Sequence, residues 1–467
     1  MKKLLSVSTV ILSALSCVFS NAEKPNIVFI LADDLGYGDV RTYNSESKIV
    51  TPHLDKLAAE GMRFTDAHSG GSTCVPSRYA LLNGRFAVRE ELQAREGPTT
   101  PEGQMTIASL LQSNGYETTM VGKWHQGFDM VKQKKGPAVF DYSKPITGGP
   151  VDRGFDSYFG MHASLDIPPY FYIRGRMVTA APTETVEAKT SEGSPEGWNR
   201  IQGAFWRSGP IGPDFVHEEV TPRFLQEAKQ VITDYASKDS SKPLFLYLAL
   251  PSPHTPWLPT KAFQGKSKVG MYGDFVMQVD ATVGGLLITL EDSGLTEDTL
   301  VIFSSDNGPV WYDENTEHFG HSAAGPLRGK KATLWEGAHR VPFIIRWPGS
   351  IQAGSTNEHT VSFVDVFATF AELVSKDTSR ESSTQDSVSF LPALFGKDLS
   401  NRPPIIHDTN SIRKGDWKLI LPRKGKRASN GELYNLKKDL GETNNLYTKR
   451  PKLVERLSTN LKTIVSE

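Results

Sequence analysis

Cysteine is nearly missing from this chain: 467 residues contain two. That excludes a disulfide scaffold and a cysteine-ligated zinc ribbon. Excess charge of either sign is missing as well. Lys+Arg 52 stand against Asp+Glu 53, so no global field favours nucleic acid or an anionic membrane. No Asn-x-Ser/Thr acceptor occurs, so nothing points to eukaryotic N-glycosylation. There is no internal repeat and no low-complexity tract. What is present is a globular composition, with 38% hydrophobic and 22% charged residues. That balance excludes a disordered chain and a polytopic membrane protein. The length predicts about two to four domains, or one large domain with an appendage.

The first residues read as a leader. Lys2 and Lys3 precede an apolar run from Leu4 to Phe19, and Ser20-Asn21-Ala22 offers small residues at the cleavage spacing. This predicts a secretory signal over 1–22, too short and too poorly flanked for a membrane span. Cys17 raises a lipoprotein reading, but Ala14-Leu15-Ser16 is a poor match to a lipid-attachment box. With no glycosylation acceptor, the expected compartment is a bacterial periplasm. Removal of the leader leaves Cys74 as the one cysteine. It cannot form an internal disulfide, so it is either a buried apolar side chain or a chemically used one.

The part over 23–355 alternates strands with helices, which predicts an α/β domain with a large, mostly parallel sheet covered on both faces. Buried strands are expected at Asn26–Leu31, Thr118–Val121, Leu244–Leu250, Leu300–Phe303 and Val341–Arg346. Thr51-Pro52 and Thr221-Pro222 read as N-caps followed by a first-turn proline. Phe275, Val279, Val283, Leu286 and Leu290 repeat at helical spacing. Stretches 129–160 and 175–215, rich in Gly, Pro and charge, read as surface loops walling a cleft. The part over 356–467 reads as a small α+β subdomain. It has a helix near Phe363 to Leu373, short strands with an antiparallel sheet, and a final amphipathic helix from Pro451. It shows no concentrated chemistry.

In an open parallel sheet, ligands bind beyond the carboxyl ends of the strands. Asp33-Asp34 follow the first strand and Lys123-Trp124-His125 the second. His254 follows the third, and Asp306-Asn307 the fourth. Four independent strands thus send polar groups to one edge. For Asp33-Asp34 alone, helix capping is the competing reading. Together with Asp306-Asn307 they make an all-oxygen set that favours calcium or magnesium over zinc or copper. Cys74 precedes an expected helix through Ala80-Leu81-Leu82. A helix N-terminus lowers a thiol pKa, so a plain thiolate nucleophile is one reading.

A second reading comes from resemblance. The stretch CVPSRYALLNGR from Cys74 resembles the type I sulfatase signature, in which the cysteine is oxidised to formylglycine by a maturating enzyme. The resemblance spans nearly the whole chain after the leader. It includes NIVFILADDLGYGD with Asp33 and Asp34, Gly122-Lys123-Trp124-His125, His254, and Ser305-Asp306-Asn307-Gly308. It continues through Leu327-Arg328-Gly329-Lys330-Lys331 with Trp335-Glu336-Gly337, where Ala338 replaces a frequent second glycine. C-terminal landmarks include Asp365, Trp417-Lys418 and Asp439-Leu440-Gly441-Glu442. Ser164-Leu165-Asp166 and Pro168-Pro169-Tyr170 resemble a substrate loop found in part of the family.

The resemblance implies an alkaline-phosphatase-like fold and a sulfuric ester hydrolase. Asp33, Asp34, residue 74, Asp306 and Asn307 would surround the metal. Hydrated formylglycine at position 74 would attack sulfur, and its second hydroxyl would let the enzyme regenerate the aldehyde by elimination. Arg78 would hold that diol, Lys123 and Lys331 the sulfate oxygens, and His125 would assist. His254 or Lys331 would protonate the leaving alcohol. Glu336 and Arg340 would orient this shell. The expected substrate is a sulfated oligo- or polysaccharide, from algal ulvan or carrageenan, with glycosaminoglycan or aryl sulfates as alternatives. A phosphate or phosphonate ester hydrolase, or a sulfoglycan-binding protein with a dead site, are the competing classes. Trp311, Tyr312, His318, His321, His162 and Asp166 are candidates for sugar contact or for loop packing. Arg413, Lys414, Lys418, Arg423, Lys424, Lys426 and Arg427 read as a solvated basic face that could meet a sulfated polymer.

Overall fold

A continuous apolar run such as NIVFILA is stable as a strand only where both its faces are covered. In the computed structural model that strand, Asn26–Ala32, is fully buried at the centre of a ten-stranded sheet. The structure describes residues 24–466 except 91, 93–96, 133–139, 239, 376–384, 400–401 and 424–428. The leader over 1–22 with Cys17, and Lys424, Lys426 and Arg427, lie outside the described residues.

Asn26–Ala32 pairs in parallel with Leu244–Ala249 on one side and Thr299–Ser305 on the other. Leu244–Ala249 pairs with Glu117–Lys123, and that strand with Ser157–Met161, all parallel. The register sets Ala32 opposite Ser305, and Ala249 opposite both Leu31 and Gly122. Four strands therefore finish level, and the residues after them share one edge. The sheet is mixed rather than purely parallel. Phe343–Arg346 runs antiparallel to Thr299–Ser305, and Ile173–Arg174 with Met177–Val178 closes the far edge antiparallel. The 129–160 and 175–215 stretches are thus not only loops. They contribute Ser157–Met161, Met177–Val178 and the antiparallel pair Glu184–Val186 with Gly209–Ile211. Ser157–Met161 is paired on both sides, while Met177–Val178 is a short edge strand, where Gly, Pro and charge are tolerated.

Val28, Ile30 and Ala32 point into one core with the helices Pro52–Ala59, Val220–Ala236 and Gly270–Asp292. Ile27, Phe29 and Leu31 point into a second core with Cys74–Asn83, Ile107–Ser113 and Asp365–Leu373. Among the described residues, Gly270–Asp292 is the one helix long and apolar enough to cross a membrane. However, 78% of its most apolar window is buried in the core, so its apolarity is that of a core helix.

Two helix starts differ from expectation. Thr51 makes no side-chain cap; Asp280 Oδ1, from the long helix, accepts from Leu54 N at 2.8 Å and His53 N at 3.1 Å. The second helix begins at Val220, after a turn at His217–Glu219, so Thr221 lies inside it and donates to Ser252 Oγ at 3.3 Å.

Near the C-terminus, Ile405–Asp408, Ser411–Lys414, Trp417–Ile420 and Glu432–Asn435 form a four-stranded antiparallel sheet. Leu457 and Leu461 of the final helix Pro451–Ser466 join Ile412 and Leu419 in a third core.

Candidate active site

The shared strand edge is built with unusual backbone. Asp34 and His125 are non-glycine residues in the left-handed region, with φ of 62° and 53°. Such conformations cost about 1–3 kcal/mol each and persist where the surroundings enforce them. Asp34 is held by its own N–H donating to Asp306 Oδ1 at 3.2 Å, and His125 by its N–H donating to His162 O at 2.9 Å. Gly122, just before Lys123, has φ 117°, and a Cβ there would stand 1.9 Å from Ala249 O. Only glycine lets these two strands deliver Lys123 and His254 side by side.

Cys74 opens the helix Cys74–Asn83, with Thr73 before it making no side-chain cap. Its Sγ lies 3.4 Å from Asp33 Oδ1 and 3.3 Å from Lys331 Nζ. Burial, and then the Asp306 and Asp33 carboxylates, push the thiol well above its ordinary value. The helix N-terminus does not outweigh them. Burial and these carboxylates oppose the plain thiolate reading.

Around Cys74 the charged groups interlock. Lys331 Nζ donates to Asp34 Oδ1 at 2.6 Å, and Asn307 Nδ2 donates to the same oxygen at 2.6 Å. Arg78 Nε donates to Asp306 Oδ2 at 2.8 Å and Arg78 NH1 to Lys123 O at 3.1 Å. Lys123 is bonded to Asp33. His254 Nε2 lies 3.6 Å from Asp34 Oδ2. The structure thus brings Asp33, Asp34, Cys74, Arg78, Lys123, His125, His254, Asp306, Asn307 and Lys331 into one buried cluster.

Burial opposes charge on Asp33, but Lys123, His254, Arg78 and Lys331 hold its carboxyl well below the usual range. Burial and the neighbouring Asp33 raise Asp306 to about 6. Lys331 is stripped of water, yet Asp34, Cys74, Asp33 and Asp306 hold its ammonium firmly protonated. Burial, followed by Lys123 and Arg78, keeps His125 neutral. Two buried oxygens, Asp34 Oδ2 and Asn307 Oδ1, have no hydrogen-bond partner. Orphaned oxygens beside crowded carboxylates are what a hard cation satisfies. Asp33, Asp34, Cys74 and His254 offer ligand atoms within 4.8 Å of one another, and with Asp306 and Asn307 the donors are mostly oxygen, which fits calcium or magnesium.

Other candidates fall elsewhere. Trp311 is buried, donating to His321 O at 2.9 Å, and His321 is bound to Asp39 at 2.8 Å; both are packing residues. Tyr312 lies under Lys330, at 4.7 Å, and His318 is exposed. Asp166 Oδ1 is unpartnered and stands 3.9 Å from His254 Nδ1, while His162 Nε2 is a second buried atom without a partner.

Glu336 and Arg340 do not touch the Cys74 cluster directly. They belong to a buried network with Asp66, His68, His339, His407, Arg413, Lys418 and Glu442. Arg413 and Lys418 are therefore not part of a solvated basic face. They are buried ion-pair partners, because Asp66, Glu336 and Glu442 face them. Three of these residues are histidines, but His339 and His407 stack face to face at 3.4 Å. Arg413 occupies the far side of His68 at 2.7 Å. Parallel rings cannot both aim at one ion, and the cations already balance the carboxylates.

With this geometry the comparisons with known proteins agree. The sulfatase family model matches residues 25–376. The chain belongs to the sulfatase family. It is a sulfuric ester hydrolase by that membership. A second model, for the C-terminal part of N-sulphoglucosamine sulphohydrolase, matches 329–467. The chain is 33% identical to an N-acetylgalactosamine-6-O-sulfatase of Bacteroides thetaiotaomicron, over 95% of this chain and 94% of that one. It is 33% identical to human arylsulfatase A, over 93% and 86%. A solved structure from work on glycosaminoglycan metabolism by Bacteroides thetaiotaomicron superimposes with a TM-score of 0.82 at 31% identity, covering 96% of this chain and 100% of that one. Another, described as a complex with a neocarrahexaose, gives 0.69 at 26% identity, covering 95% and 93%.

Proposed function

We propose that this sulfatase removes sulfate from a sulfated carbohydrate, using residue 74 in its formylglycine form and one calcium ion. The observation that carries the reading is the position of Cys74. It sits at a helix start between Asp33 and Lys331, beside the orphaned oxygens of Asp34 and Asn307. Oxidised and hydrated, residue 74 supplies a hydroxyl nucleophile and a second hydroxyl through which the aldehyde is restored. Calcium, held by Asp33, Asp34, Asp306 and Asn307, supplies positive charge to the sulfate oxygens.

The chain's own residues do the rest. Lys123, paired with Asp33, and Lys331, paired with Asp34, favour charge building on the non-bridging oxygens. Arg78 holds Asp306 and the Lys123 backbone in register. His125, its imidazole neutral, assists the residue-74 diol. Of the two candidate acids for the leaving oxygen, His254 is favoured. Lys331 Nζ is already engaged by Asp34 Oδ1 at 2.6 Å and Cys74 Sγ at 3.3 Å, whereas His254 Nε2 stands off at 3.6 Å from Asp34 Oδ2.

Similarity to the galactosamine sulfatase over almost the whole chain favours a 6-sulfated amino sugar as the first substrate to test, ahead of ulvan or carrageenan fragments. Export to a bacterial periplasm through the leader at 1–22, maturation by a formylglycine-forming enzyme, and division at 355/356 belong to the same proposal. The test is turnover of 4-nitrophenyl sulfate against 4-nitrophenyl phosphate, followed by a screen of defined sulfated oligosaccharides. Conversion of Cys74 is to be verified by mass spectrometry. Sulfate release by converted enzyme, with none from unconverted enzyme, is the expected result. Equal phosphate turnover, or activity independent of conversion, overturns it.

A further inference from the structure

The segment over 175–215 folds back on itself beside the reaction centre. Lys189 and Trp206 exchange backbone hydrogen bonds of 2.9 and 3.1 Å, and Trp206 Nε1 donates to Glu187 O at 2.9 Å. Trp206 stacks on His217 with ring centroids 5.0 Å apart. These contacts fix one wall of an open groove of about 450 Å³, lined by Lys189, Arg200, Phe205, Trp206 and Arg207 with small neighbours. Lys189 Nζ stands 4.9 Å over the Trp206 ring, and the Arg207 guanidinium 5.3 Å over Phe205. Among the described residues lining the groove, three are cationic and none is a carboxylate.

The groove connects to the chemistry through one ion pair. Arg207 is bonded to Asp166 Oδ2, and the other Asp166 oxygen lies 3.9 Å from His254 Nδ1. Arg207 thus stands one residue away from His254, on the Nδ1 side of its ring, while Nε2 faces Asp34 in the reaction centre. Asp166 balances Arg207, but no carboxylate in the groove lining balances Lys189 and Arg200, so an anion in the groove meets two cations. Guanidinium forks match carboxylate and sulfate oxygens.

We propose that this groove is a second sugar subsite that selects an anionic residue, uronate or sulfated, adjoining the sugar that loses sulfate. This rests on the reading that the substrate is a sulfated carbohydrate with its leaving oxygen at His254. The probes are a disaccharide carrying the scissile sulfate beside a uronate, the same disaccharide with that carboxylate reduced to an alcohol, and one with a second sulfate in its place. Turnover of 4-nitrophenyl sulfate reports the reaction centre alone. For the wild-type enzyme, kcat/KM on the uronate or the disulfated probe exceeds that on the reduced one by about tenfold. Which of the two leads identifies the anion. The preference is carried in KM and fades with added salt, as expected for partly exposed charges. In the Lys189→Gln/Arg200→Gln variant that preference falls to within about twofold. A wild-type enzyme that treats all three disaccharides alike overturns the proposal, as does a variant that keeps the full preference. Failure to turn over any sulfate ester after Cys74 conversion would instead count against the underlying functional reading.

Discussion

Replacing Lys418 by Met tests whether the C-terminal sheet holds the segment that carries Lys331. Lys418 Nζ is fully buried, 3.0 Å from Glu336 Oε1 and 3.0 Å from Glu442 Oε1. Glu336 N–H in turn donates to Glu442 Oε2 at 2.7 Å, and Gly337 N–H to Arg328 O at 2.7 Å. Methionine keeps most of the stem volume and removes the charge. Stranding one partner of a buried pair costs about 3–5 kcal/mol. Arg413 and Arg340 remain 3.4 and 3.5 Å from Glu336 Oε2, which sets the expectation at the lower end. A loss of about 3 kcal/mol opens the local structure roughly 100-fold more often, at 1.4 kcal/mol per factor of ten. Hydrogen exchange followed by mass spectrometry reads this directly, in peptides covering 328–340 and 411–420. Loosening Lys331 by about 1 Å costs up to about 100-fold in rate, so kcat falls while the sulfate ester still binds. The double variant Lys418→Met/Glu442→Gln removes one stranded charge and recovers part of the protection. Exchange in both peptides within threefold of the wild type would refute the argument, because it would mean the buried lysine holds nothing.

Lys331→Ala is expected to lower kcat on 4-nitrophenyl sulfate by about 100- to 1000-fold, the usual cost of one group that stabilises developing charge. A loss under tenfold, with the fold intact by circular dichroism, counts against its role. Calcium added to chelator-treated protein should stabilise it by about 2.7 kcal/mol at a hundredfold excess over Kd, read from urea midpoints. Asn307→Ala should lose most of that shift, and an equal shift in the variant removes Asn307 from the cation site. Asp280, raised to about 7 by burial against the pull of the Leu54 and His53 N–H groups, gives a pH test. Its native carboxyl is protonated more readily than in the unfolded chain. The stability it contributes is therefore full below about pH 4 and is lost as pH rises toward 7, by up to about 4 kcal/mol. Relative to the wild type, Asp280→Asn should gain stability between pH 4.5 and 7.5 in urea denaturation; a flat or falling difference contradicts the burial argument.

How far the sequence could be read depends on how far apart the cooperating residues lie. The strand ends were legible because each apolar run stops at its own polar pair, Asp33-Asp34 or Asp306-Asn307, and a parallel sheet must align those stops. The Cys74 motif was legible because its helix start and Arg78 lie within one turn. Thr51 was misread as a cap because the acceptor that serves the helix, Asp280, comes from an element 226 residues away. Lys418 was misread for the same kind of reason. Its stretch has the composition of a solvated face, and its partner Glu336 lies 82 residues earlier. What separates Lys418 from the exposed Lys414 is strand pairing. The register sets Arg413 opposite Lys418 and Lys414 opposite Trp417. Successive side chains on a strand alternate faces, so Arg413 and Lys418 turn inward together while Lys414 turns to water. Two cations facing each other on one sheet face repel, and the pair is tolerable only with Asp66, Glu336 and Glu442 beside it. The charge of that stretch was plain in the sequence; its direction was set by carboxylates on elements that only the fold brings near.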